Sequence, residues 1–282
     1  MNAFLYACSY YNIEDLGYLD LALISGFAHT LNEARAFENA CIKGHLEIAK
    51  WILARNPNFN VSINDEINFF YACHRGHLEI VKWLLQVNPN IDISISNEQA
   101  FRYACDAGHF EIAKFLLQVK PNINISADNE FAFIYSCSHG HFEIAQWLLK
   151  IKPNIDISIN DEFAFFRGCL EGRLEIVKWL LQIKPDINIS AMNDRAFRNA
   201  CLQNYDNYEV PEFLVTLMPY LYIINYNDDG SYKNYYVRAK EEKRWLQRIY
   251  PLWLASDDSP DKTNIFYKIP QDVSRYIISN YL

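Results

Sequence analysis

The chain has 282 residues, 51% of them hydrophobic and 15% aromatic, with 26 basic against 34 acidic side chains and a formal net charge of −8. That apolar content excludes a wholly disordered chain, and the acidic balance repels phosphate backbones, which disfavours nucleic acid and favours basic or neutral protein partners. No run of about 18 apolar residues occurs, so no membrane span is expected, and the opening Met1-Asn2-Ala3-Phe4-Leu5-Tyr6-Ala7-Cys8 carries no basic stretch of the kind that begins a secretory leader.

Residues 1–31 form an atypical N-terminal capping unit. Phe4, Ala7 and Cys8 match a column that returns through the chain, while Asn12-Ile13-Glu14-Asp15-Leu16 stands where later units have Gly-His-Leu-Glu-Ile. An end unit of a stack meets water on one side and is expected to deviate.

Residues 32–191 hold five regular units. Gly44-His45-Leu46-Glu47-Ile48 returns from Gly76, from Gly108, from Gly140 and, with Arg173 in place of the His, from Gly172, at a period of 32 residues. A fixed period of this length marks a stack of helix pairs, in which no unit buries its apolar face alone. In residues 64–95, Asn64-Asp65-Glu66 opens a first helix, and Phe69, Ala72 and Cys73 share one face of it. Gly76 ends that helix through a left-handed residue. The second helix starts near His77, places Glu79 in its first turn to suit the helix dipole, and stops before Pro89. Its Leu78, Ile80, Val81, Trp83, Leu84 and Leu85 leave little polar face, so it is expected to be buried between layers. Asn90 to Ile95 alternates and reads as a short extended connection.

Residues 192–225 are a degenerate closing repeat. Ala196, Phe197, Ala200 and Cys201 keep the first helix, and a re-phased second helix runs from Pro211 to Met218. Residues 226–282 leave the repeat. Asn227-Asp228-Asp229-Gly230-Ser231 is a turn signal, Ala239–Leu254 reads as a helix, and Pro270–Leu282 as a last one. The basic residues between Lys233 and Arg248 read as a solvated helix face rather than a nucleic-acid contact.

Cys8, Cys41, Cys73, Cys105, Cys137, Cys169 and Cys201 all occupy one position of the unit. Such a column is a small buried hydrophobe rather than a disulfide or metal set, which suits a reducing, intracellular setting. The row His45, His77, His109, His141 invites a metal, but a periodic His points to the same place in each layer and does not converge on one ion; a loop and capping role is expected. The Trp51, Trp83, Trp147 and Trp179 column, with Phe115, reads as core. No phosphate loop, nucleophile elbow or kinase set is present, so neither catalytic residue nor cofactor is assigned.

The helix ending in small residues, the five Gly-His-x-Glu-Ile segments (one with Arg) and the short connection resemble ankyrin repeats. The match is close over about 32–200 and looser at 1–31 and 201–220. Three features depart from the family pattern. The opening Thr-Pro-Leu-His is absent. The usual hairpin glycine is replaced by Asp65, Asn97, Asn129, Asp161 and Asn193, the residue types that best tolerate left-handed backbone. A proline pair such as Asn88-Pro89 or Lys120-Pro121 follows the second helix. The Ile- and Asn-rich style is similar to the divergent repeats encoded by large DNA viruses, which would place the protein in the cytoplasm of a host cell.

The resemblance implies an all-α solenoid that binds a protein partner on its concave face, expected as a monomer. The positions that vary between units are the candidates there: His74 and Arg75, Asp106 and Ala107, Ser138 and His139, Leu170 and Glu171, with Tyr71, Tyr103, Tyr135 and Arg102 on the first helices. The C-terminal Ile269-Pro270-Gln271-Asp272-Val273, continuing to Ile277 and Ile278, looks like the first helix of an F-box. It would make the protein an adaptor to a ubiquitin ligase; the plainer reading is an amphipathic helix that seals the stack.

Overall fold

The structure is a computed structural model and describes residues 33–55, 59, 61, 63–203, 209–218, 222–226 and 232–237. The opening unit 1–31, the helices expected at Ala239–Leu254 and Pro270–Leu282, and the F-box-like residues Pro270, Asp272, Val273, Ile277 and Ile278 lie outside the described residues. The chain divides into two compact units, Met1–Asn188 and Ile189–Leu282.

Among the described residues of the first unit ten helices form five pairs: α1 (Glu33–Lys43) with α2 (Leu46–Arg55), α3 (Ile63–Arg75) with α4 (Leu78–Val87), α5 (Ile95–Asp106) with α6 (Phe110–Val119), α7 (Ala127–His139) with α8 (Phe142–Ile151), and α9 (Ile159–Leu170) with α10 (Leu174–Ile183). The first helices α1, α3, α5, α7 and α9 pack in series, and each carries its own second helix. The all-α stack expected from the period is therefore the fold of this unit.

The core follows the same period. Phe37, Phe69, Phe101, Phe133 and Phe165 are at most 2% exposed, and Cys41, Cys73, Cys105, Cys137 and Cys169 are buried beside them. Burial pushes these thiols well above their ordinary pKa, so they are inert fillers. From the second helices only three positions per pair are buried, as with Ile80, Val81 and Leu84. The expectation of a wholly buried second helix is thus too strong. The Trp column is half-buried and lies on phenylalanines: Trp83 on Phe37 at 6.0 Å, Trp147 on Phe101 at 6.3 Å and Trp179 on Phe133 at 6.2 Å between ring centroids.

The second helices α4, α6, α8 and α10 end as the prolines require. Asn88, Lys120, Lys152 and Lys184, all preceding proline, take extended φ values between −130° and −139°. The first helices begin in a way the sequence reading missed. Ser96, Asn97 and Glu98 have φ of 53°, 61° and 62°, and Asp128-Asn129-Glu130 and Asn160-Asp161-Glu162 repeat this left-handed turn. Asn97, Asn129 and Asp161 hold the left-handed role expected for them, but a glutamate shares it.

In the second unit α11 (Ala191–Gln203) pairs with α12 (Glu209–Leu217). A two-stranded antiparallel sheet follows, β1 (Tyr222–Tyr226) against β2 (Tyr232–Val237), in register from Tyr222↔Val237 to Asn225↔Asn234, with a bulge before Tyr226↔Tyr232. The sequence reading set a turn at 227–231 but no strands beside it, and it placed 232–237 in a helical region. Tyr and Ile favour pleated backbone, and the polar linker hides that preference behind a turn signal.

Candidate functional site

The second-helix N-termini are fixed by stitches between pairs. His77 Nε2 donates to the carbonyl of Ile42 at 3.0 Å, and His109 Nε2 to that of His74 at 3.1 Å. His141 stands over Gly108 in the same position, where the carbonyl of Asp106 accepts from His139 Nδ1 at 3.2 Å, and Arg173 Nε donates to the carbonyl of Ser138 at 3.2 Å. These residues are N-caps by position but make no side-chain capping bond. The capping role expected for His77, His109 and His141 is therefore corrected to a link with the preceding pair. Burial lowers the pKa of both His109 and His141.

The glycine of each unit makes room for the stitch. Gly108 has φ +82°, and a Cβ there would stand 2.5 Å from His141 Cε1. Its left-handed backbone and the imidazole of the next pair both demand glycine.

A second stitch joins the other end of the first helices. Glu98 Oε2 accepts from Ser94 Oγ at 2.5 Å, and its Oε1 accepts from the backbone N–H of Asn124 at 3.2 Å. Glu130 repeats this with Ser126 and Asp156, and Glu162 with Ser158 and Asn188. Each glutamate is 6–8% exposed. It holds its own left-handed turn and clasps the loop that begins the next pair. The signal was present in the sequence as Glu66, Glu98, Glu130 and Glu162 at a period of 32, each with a serine four residues earlier (Ser62, Ser94, Ser126, Ser158).

These stitches leave the first-helix face as the place where units differ. Phe70 meets Tyr71 at 5.2 Å and Tyr103 at 5.4 Å; Tyr103 meets Phe131 at 5.2 Å; Phe131 stacks on Tyr135 at 4.2 Å. The candidates Tyr71, Tyr103 and Tyr135 therefore join one aromatic ridge across three pairs. His74 stacks on Phe70 at 5.7 Å and meets Tyr103 edge-on, and burial lowers its pKa. Arg75 is exposed beside it, and Ala107, Leu170 and Glu171 are half-buried. Asp106 pairs with His139 Nδ1 at 2.8 Å. Glu171 pairs with Arg167 at 3.3 Å.

Two candidates are placed differently. Ser138 is fully buried, its Oγ accepting from Arg167 Nε at 3.1 Å. Arg102 is 7% exposed. Its Nε donates to the Asn97 carbonyl at 2.8 Å, one terminal nitrogen to the Ser96 carbonyl at 3.1 Å and the other to the Asp128 carboxylate. It braces the left-handed turn. Sequence variation cannot separate a side chain that faces out from one that folds back onto its own backbone. Phe131 and Phe163 were missed, although Ile67, Gln99, Phe131 and Phe163 occupy one variable position of the unit.

The opposite face repeats. Its Glu–Lys pairs at i,i+3 are Glu47–Lys50, Glu79–Lys82, Glu111–Lys114 and Glu175–Lys178. Val87, Val119, Ile151 and Ile183 are exposed there at the same period. Among the described residues no cluster of three or more His, Cys, Asp or Glu is placed to hold a metal ion, and no helix is long and apolar enough to cross a membrane.

Comparison with curated proteins gives no match. Among solved structures, the human ASB11 ankyrin repeat domain is similar at 22% identity over 70% of this chain and 88% of that one, with a TM-score of 0.49. The family model for ankyrin repeats matches residues 37–128 and 119–193, more than half of the chain. With five stacked helix pairs, left-handed glycines at a period of 32 and that match, the chain belongs to the ankyrin-repeat family.

Proposed function

We propose that the protein is a non-enzymatic interaction module that grips a protein partner on its first-helix face. Ankyrin repeats in general serve protein–protein interaction. The observation that carries the reading here is the contrast between faces. The outer face largely repeats the same residues from pair to pair, whereas the first-helix face changes at Tyr71/Tyr103/Tyr135/Arg167 and, apart from the buried Ser138, at His74/Asp106/Leu170. A surface that recognises one irregular partner must vary along its length, and half-buried tyrosines are common anchors of such surfaces. The viral style of the repeats puts the partner in the cytoplasm of a host cell, with this chain acting as a monomer.

A photo-crosslinking amino acid placed at Arg75 or Ala107 tests this against the same residue at Gln146 on the outer face. In the native cell, adducts from the first two positions and none from Gln146 are expected. Adducts from Gln146 alone would overturn the reading.

The Ile269-Pro270-Gln271-Asp272-Val273 opening supports a second reading, a substrate adaptor that docks a ubiquitin-ligase scaffold through residues 265–282. Pulldown with and without that segment decides it: a scaffold lost on truncation supports the adaptor, and no scaffold in either sample removes it.

A further inference from the structure

We infer that the segment gripped by the first-helix face is basic, with arginine side chains stacking on the aromatic ridge. This rests on the proposed binding face and names the chemistry of its partner.

Two observations carry it. The first is charge. Over residues 95–106, 127–139 and 159–171, which form the turns and first helices of the third to fifth pairs, seven carboxylates stand against two guanidinium groups; three of the seven, Glu98, Glu130 and Glu162, are buried in the clasps, and Arg75 of the second pair adds one exposed cation. Both guanidiniums already have carboxylate partners, Arg102 with Asp128 and Arg167 with Glu171. Asp161 is exposed at the tip of its turn, and Asp128 remains 51% exposed. The outer face shows less excess, since four of its five glutamates sit beside their own lysines and only Glu143 has a Gln there. The negative field is therefore concentrated on the variable face, where it steers cations toward the ridge.

The second observation is that the ridge already accepts guanidinium groups. Arg102 lies over Phe131, 4.8 Å from the ring centroid, and Arg167 lies over Tyr135 at 5.7 Å. The electron-rich ring faces attract a planar cation, and arginine stacks better than the compact, strongly hydrated lysine head. The chain's own side chains show the geometry that an incoming arginine would adopt on Phe70, Tyr71 or Phe163, all half-buried along the same helices.

The test uses the full chain and fluorescein-labelled peptides: (Arg-Ser)4, (Lys-Ser)4 and (Glu-Ser)4, by anisotropy at 0.15 M salt. The arginine peptide is expected to bind, the lysine peptide several-fold more weakly, and the glutamate peptide not at all. The double variant Phe70→Leu/Tyr71→Leu keeps apolar packing and removes two ring faces offered to the partner; a loss of about tenfold is expected for two cation–π contacts. Asp161→Asn should cost about two- to fivefold, the range of an exposed charge, whereas Glu143→Gln on the outer face should change nothing. Equal binding of the arginine and glutamate peptides, no binding of either, or no loss in the Phe70/Tyr71 variant overturns the inference. If crosslinks still arise from Arg75 and Ala107, that failure falls on the basic partner alone and leaves the binding face intact.

Discussion

At the scale of single residues, side chains that look like chemistry turn out to hold the stack, and the glycines and glutamates show how. Replacing Gly108 by Ala puts a Cβ on left-handed backbone at φ +82° and 2.5 Å from His141 Cε1. Replacing Gly140 meets only the flexible Arg173 Cδ, at 3.2 Å. Both variants carry the left-handed penalty of about 1–2 kcal/mol, so Gly108→Ala should lower the thermal midpoint clearly more than Gly140→Ala. Gly108→Val should be worse than either, being β-branched as well. Equal midpoints for the two alanine variants would show that the imidazole moves aside freely. Glu130 is the second test. Glu130→Ala strips the partners of Ser126 Oγ and the Asp156 N–H and leaves a three-residue left-handed turn unsupported. A loss of about 1–3 kcal/mol in denaturant unfolding is expected, and Ser126→Ala should lose less, because one of the two clasps survives. The positions of these residues were legible in the sequence as periodic columns. Their roles were not, since a column fixes where a residue recurs but not which way its side chain turns.

At the scale of elements, the helix boundaries were largely legible. Glycine closes each first helix and proline closes each second one, and both act through local backbone geometry that needs no tertiary context. The left-handed backbone at the start of the first helix was not legible, because the glutamate there is held partly by its own serine and partly by the loop of the next pair. The histidine stitches between elements have a consequence in pH. Burial holds His74, His109 and His141 below the ordinary imidazole value of 6.5 in the folded chain. The unfolded chain therefore binds more protons once the pH falls below about 6.5. Stability is full above that value and is lost as the pH falls through the lowered folded pKa values. Urea midpoints should drop between pH 7.5 and 5.5, above the range where ordinary carboxylates titrate. His141→Arg copies the natural stitch of Arg173 and should flatten part of that drop while keeping the fold. A flat profile in the unmodified chain would mean that the imidazoles charge without loss of the stitches.

For the molecule as a whole, the 32-residue period made the fold of the first unit legible at once, because stacking repeats one local problem. The second unit was less legible: its hairpin owes nothing to the period, and its turn was the only part with a strong local signal. Half of the candidate face was visible as variation, but the ridge needed the structure, since Phe70, Tyr103 and Phe131 meet across pairs rather than along one helix. Stacking also decides how the first unit should fail. Each pair touches only its neighbours, so a weak central pair should uncouple the two sides. Phe101 is fully buried in the third of five pairs. Phe101→Ala should cost about 3–5 kcal/mol as a large-to-small core change, and the loss should appear as two transitions rather than one. The sequence supplies the reporters: Trp51 and Trp83 lie on one side, Trp147 and Trp179 on the other, and Phe115 takes the Trp position between them. With Trp245 and Trp253 replaced by Phe, fluorescence from each side can be followed separately by removing the other two tryptophans. Separate urea midpoints for the two sides in Phe101→Ala, against coincident midpoints in its parent, are expected. Coincident midpoints in both would show coupling that reaches beyond nearest neighbours, and the additive picture of the stack would have to be abandoned.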